Sequence, residues 1–95
     1  MSEEFLDEKR KEIAAVDRQI MQLVKSRVDL ANAIGHYKAE HGLDVRNHAV
    51  EVKVAERYRN CAEEFGLDPN FGEILCRIIM QLCVASEDSI LEGKP

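Results

Sequence analysis

At 95 residues and 10.8 kDa, the chain is one domain, 1–95, short enough to leave a large share of its surface exposed unless it associates, so size is compatible with oligomerisation. Eighteen acidic residues against thirteen basic ones give a net charge of -5, and no block of Lys or Arg forms a footprint for a phosphate backbone, which argues against nucleic acid as a partner. The apolar runs are far shorter than a bilayer span and the start, Ser2-Glu3-Glu4, is acidic where a signal peptide is basic; no membrane partner and a cytoplasmic location are expected.

Apolar residues make up 45% of the chain and aromatics 5%, with Trp absent, a balance suited to helices packed through Leu, Ile, Val and Ala rather than to sheet. The three cysteines Cys61, Cys76 and Cys83 are odd in number and form no C-x-x-C pair; reduced, buried thiols are expected. His36, His41 and His48 lack the i, i+4 spacing of two ligands on one helical face. A metal site is therefore not expected.

From about Glu3 to Glu40, Ile13, Val16, Ile20, Leu23, Leu30, Ile34 and Tyr37 recur at three- and four-residue steps, and Gly42 follows as a stop. The predicted first helix would be roughly 57 Å long at 1.5 Å per residue, longer than a lone globule of this size needs. A second helix is predicted from the N-cap Asn47 to the stop at Gly66, with Val50, Val54, Tyr58, Cys61 and Phe65 on an inward face. A third starts at Asp68-Pro69, as N-cap and first helical position, and runs through Phe71, Leu75, Ile78, Ile79 and Leu82 to about Leu91, with fraying expected beyond Glu92. One long and two shorter helices in an all-α fold leave an apolar stripe on the long helix that a second copy would cover.

Charge interrupts that pattern in a few places. Stepping by sevens from Ile13 and Ile20 brings Arg27 onto the core seam, which resumes at Ile34. A buried guanidinium must meet an anion, either a structural carboxylate or a ligand, unless it is retained to fix register. Lys38 lies eleven residues on, about 20° around the helix and roughly 16 Å along it, so both cations project to the same side; alone, Lys38 reads as a surface residue. Arg10 is about 25 Å from Arg27 and about 100° around. It is either a solvated member of a charged first turn or, if it joins Arg27 at one small ligand, a residue contributed by the second chain of an antiparallel dimer. On the third helix Glu87 continues the stripe Cys76, Met80, Cys83. There it either faces water at a helix end or sits dry, and a dry carboxyl is held toward its neutral, hydrogen-bond-donating form.

The set Arg10, Asp17, Arg27, Lys38, Val45-Arg46-Asn47, Glu51 and Glu87 resembles the all-helical (AroQ-type) chorismate mutases over essentially the whole chain. That resemblance implies an intertwined helical homodimer with two sites, each taking one arginine, Arg10, from the partner. It implies rearrangement of chorismate to prephenate, in phenylalanine and tyrosine biosynthesis, without metal, cofactor or covalent intermediate. By the resemblance Arg27 and the partner's Arg10 bind the two substrate carboxylates, Lys38 contacts a carboxylate and the ether oxygen, and Glu87 sits on that oxygen's other side. Asn47 and Glu51 align with positions that hold the substrate hydroxyl, and Cys83 joins the substrate-binding set. The chain departs from the common pattern at Asn47, where many members have Asp, at Val50, where many have Arg, and at Glu87, where Gln is frequent. Two alternatives stay open: an isochorismate-pyruvate lyase of the same fold, and a non-catalytic helical dimer that binds a metabolite.

Overall fold

The structure, a computed structural model, describes residues 2–44 and 46–92. They form three helices, α1 (Ser2–His41), α2 (His48–Glu64) and α3 (Pro69–Glu92). Val45 of the motif above and the fraying expected beyond Glu92 lie outside the described residues.

The boundaries follow local chemistry. Asn47 caps α2 from an extended backbone conformation, its side-chain oxygen accepting the Val50 N–H at 3.3 Å, which satisfies one of the amides that a helix start leaves bare. Asp68 accepts the Asn70 N–H at 2.8 Å and Pro69 opens α3. Gly42 and Gly66, just past the ends of α1 and α2, take positive φ, 64° and 74°, the left-handed conformation that closes a helix. The first helix passes straight through Gly35.

The packing is unusual for so small a chain, because α3 lies against both other helices while α1 and α2 do not touch. Close approach of α2 and α3 depends on Gly72: a Cβ there would stand 2.6 Å from the Tyr58 carbonyl oxygen and 2.9 Å from the Ala62 Cβ. Arg59 adds bonds from α2 to Glu73 at 2.8 Å and Asn70 at 3.2 Å. Between α1 and α3 a small core of Ala31, Ile79 and Cys83 is flanked by Val24 and Val28, and the Ser86 hydroxyl donates to the Asn32 side-chain oxygen at 2.6 Å.

Because α2 packs on α3 alone, the inward stripe expected for α2 is only partly buried. Val50, Cys61 and Phe65 are exposed, Val54 and Tyr58 are half-buried, and the residue that α2 buries is Ala62. The expectation of three buried thiols is likewise corrected at Cys61, which is exposed; Cys76 and Cys83 are buried, and all three are free. On α1 the apolar residues Ile13, Val16, Ile20, Leu23, Leu30 and Ile34 are each more than half exposed. The radius of gyration, 17.5 Å over extents of 61 × 28 × 14 Å, compares with about 12 Å for a compact domain of this length. The chain exposes 7581 Å², against roughly 5,500 Å² for a folded monomer of this mass. No helix among the described residues is long and apolar enough to cross a membrane.

Candidate active site

The gap left between α1 and α2, floored by α3, is a cavity of about 530 Å³. From α1 it takes Arg27 and Lys38, from the start of α2 Asn47, Val50 and Glu51, and from α3 Met80, Cys83 and Glu87. Six sequence-predicted site residues, Arg27, Lys38, Asn47, Glu51, Cys83 and Glu87, thus line one space. Arg10 does not: it is exposed, near the far end of α1, with its guanidinium 3.5 Å from Asp7.

Arg27 is half-buried, and its donors meet sulfur, the Cys83 Sγ at 2.9 Å and the Met80 Sδ at 3.6 Å. Among the described residues no carboxylate stands within ion-pair distance of it. Of the anions that could meet this cation, a structural carboxylate is therefore absent among the described residues, and sulfur is a weak acceptor for a guanidinium. A half-buried cation that lines a cavity, with thiol and thioether as its partners among the described residues, is chemically suited to meet an anion there.

Glu87 is 8% exposed, which confirms that the α3 stripe carries it into a dry environment. Burial pushes its carboxyl above the ordinary range; Lys38 and, less strongly, Arg27 pull it down, and neighbouring Asp88 pushes it up. Desolvation outweighs the cations because it acts on the ionised form directly, whereas they act across a partly solvated space. Gly35 permits the placement: a Cβ at Gly35 would lie 3.2 Å from the Glu87 Cγ, so glycine lets the acid lie against α1.

Glu51 is held by Arg46, whose Nε and Nη2 both reach Oε1 at 3.0 Å. That leaves Oε2 as a free acceptor. Asn47 spends its oxygen on the helix cap, so its amide N–H groups remain as donors. Burial also raises the Cys76 thiol, opposed chiefly by the guanidinium groups of Arg27 and Arg57.

Arg57, on α2, is a cavity residue that sequence spacing did not single out. Its signal was there, three residues past Val54 and seven past Val50, but it sits beside the apolar stripe rather than breaking it. Among the described residues no cluster of His, Cys, Asp and Glu could hold a metal ion.

The family model described as chorismate mutase type II matches residues 9–88. The T-protein of Haemophilus influenzae is 31% identical over 85 residues, 90% of this chain, which spans 22% of that protein. The intracellular chorismate mutase of Mycobacterium tuberculosis is 35% identical over 77 residues, 81% of this chain and 67% of the relative. The 4-amino-4-deoxychorismate mutase of Streptomyces venezuelae is 29% identical over 82 residues, covering 86% and 80%. No solved structure matches.

Proposed function

Since the chain belongs to the chorismate mutase type II family, we propose that it rearranges chorismate to prephenate at the cavity between α1 and α2. The observation that carries this reading is Arg27, a cation half-buried among sulfur atoms, placed with Lys38, Glu87, Asn47 and Glu51 around one space large enough for a small dianion.

The reaction is unimolecular: an ether C–O bond breaks as a C–C bond forms, and every atom stays in the product. Nothing needs a nucleophile or a base. The protein has to hold the two ends of the substrate face to face and stabilise the negative charge that grows on the ether oxygen. Arg27 takes one carboxylate. Lys38 and Glu87 bracket the ether oxygen, one as cation and the other, in the acid form that burial favours, as hydrogen-bond donor. At the opposite wall, Oε2 of Glu51 accepts from the ring hydroxyl and the Asn47 amide donates to it.

The working unit is a homodimer. The exposed seam on α1 and an accessible area about 2,000 Å² above that of a compact monomer fit an obligate interface, whose burial is of that order per chain. A second α1 running antiparallel closes the open side of the cavity and brings the partner's Arg10 to the second carboxylate.

The relative named for 4-amino-4-deoxychorismate makes the ring 4-substituent a specificity question, and Glu51 is the residue facing it: a carboxylate accepts from a hydroxyl or an ammonium alike. The test is loss of chorismate absorbance with purified protein, with prephenate confirmed by acid conversion to phenylpyruvate and with isochorismate and 4-amino-4-deoxychorismate run beside it. Prephenate formation supports the reading. Preferential salicylate from isochorismate would move it to a lyase, and inactivity on all three would leave a binding module.

A further inference from the structure

The cavity as assembled from one chain holds a cation with no assigned use. Arg57 lines it from α2, on the same face as Val50, because seven residues return to within about 20° around a helix and advance about 10 Å along it. Its guanidinium carbon stands 5.7 Å from the centre of the Tyr58 ring. Arg46 and Arg59, by contrast, are each held on a carboxylate, Glu51 and Glu73; Arg57 meets none among the described residues.

Two further facts point the same way. The two guanidinium groups, Arg27 from α1 and Arg57 from α2, both line this cavity together with Met80 of its floor, and both act on the thiol of Cys76, buried one turn before Met80 on α3. The charge count also favours a dianion there. Glu51 is already matched by Arg46 and Glu87 is held toward its neutral form. The guanidinium groups of Arg27 and Arg57 therefore line a space with little negative charge of its own to match them.

We propose that Arg57 is a substrate-binding residue, a guanidinium supplied by α2 of the same chain that holds a carboxylate of the dianion beside Arg27. This rests on the reading of the cavity as the mutase site. Because Arg57 is exposed along much of its length, removing it should not disturb the packing of α2.

The test compares Arg57→Leu and Arg57→Gln with Lys53→Leu, which removes the same charge from an exposed site on the same helix outside this cavity. Wild type and Arg27→Leu are assayed alongside, and sedimentation follows the dimer throughout. Loss of one charge-assisted contact to a carboxylate predicts a KM for chorismate raised about 10- to 100-fold in both Arg57 variants, with kcat less affected, the dimer intact and Lys53→Leu like wild type. A KM within twofold of wild type would overturn the inference. So would a rise that vanishes at higher protein concentration, since Arg57 would then serve the interface. If wild type or Arg27→Leu fails to behave as the mutase reading requires, both fall; if those two behave and Arg57 alone is silent, only this inference does.

Discussion

The two halves of α1 have the same helical pattern and opposite surroundings. From Val24 onward the helix lies on α3, burying Ala31 and presenting Arg27 and Lys38 to the cavity. Before Val24 every residue with a described side chain is exposed, Ile13, Val16 and Ile20 included. A helix of 40 residues cannot be stabilised over its first half by propensity alone at such apolar exposure; helices in proteins are held mainly by packing of their apolar face. One half is thus folded by its own chain, and the other leaves an apolar face that the proposed dimer would cover with a second copy.

The sharpest way to break this comparison is to remove the charge on the packed half. Arg27→Leu should lower kcat/KM by on the order of 10²- to 10³-fold, as for loss of a main electrostatic contact in a transition state. Thermal stability should hold or rise, because a half-buried cation without a carboxylate is replaced by an apolar group. Calorimetry beside the kinetics checks both, and unfolding with unchanged activity per folded molecule would reverse the assignment.

On the other half, Ile20→Glu should split the dimer and make helicity fall with dilution, which sedimentation and circular dichroism would follow. Unchanged association would place the interface elsewhere. Gly72→Ala supplies the contrast within one chain. Alanine gains about 1 kcal/mol of helix propensity over glycine, but its Cβ would meet backbone at 2.6 Å. Overpacking of this kind costs about 1–3 kcal/mol and prevails because a carbonyl oxygen in a helix cannot step aside. Its Tm should fall at every protein concentration, where that of Ile20→Glu depends on concentration.

The smallest expected effect concerns Glu87. Its carboxyl is raised by burial, so the acid form persists above the usual range and kcat should fall as pH rises through that raised value. Glu87→Gln should flatten the profile, since an amide donates at every pH. Stability carries the same sign: the folded state binds the proton more tightly, so stability is greatest below the unfolded carboxyl range and is lost as pH rises through the folded value. The Gln variant should therefore gain most at neutral pH and little in acid, a difference that melting curves at the two pH values would detect.

Much of this architecture is legible in the sequence. Asn47, Asp68-Pro69, Gly42 and Gly66 mark helix ends because capping is local chemistry, and those four signals hold in the structure. The seam position of Arg27 and the apolar row leading to Glu87 are periodicities, and periodicity survives into packing. What spacing could not show is which helices touch. An inward face for α2 presumes a neighbour on each side, yet α2 meets α3 alone, which leaves Val50 and Phe65 exposed and Val54 lining the cavity. Nothing in the sequence marks Gly35 and Gly72 as contact points, since a close approach between helices is a fact of tertiary geometry. Arg57 escaped notice because it sits on a polar flank, where an arginine looks ordinary until the cavity beside it is seen.

The most direct test of a site shared between two chains is complementation. Arg10→Ala and Arg27→Leu homodimers should each be inactive, because every site lacks one clamp. Unfolded together in equal amounts and refolded, half the dimers are mixed, and each mixed dimer has one site with both arginines, so about a quarter of wild-type activity should return by the symmetry of a two-fold dimer. No recovery, with mixed dimers verified by mass, would contradict the shared site and confine each cavity to its own chain.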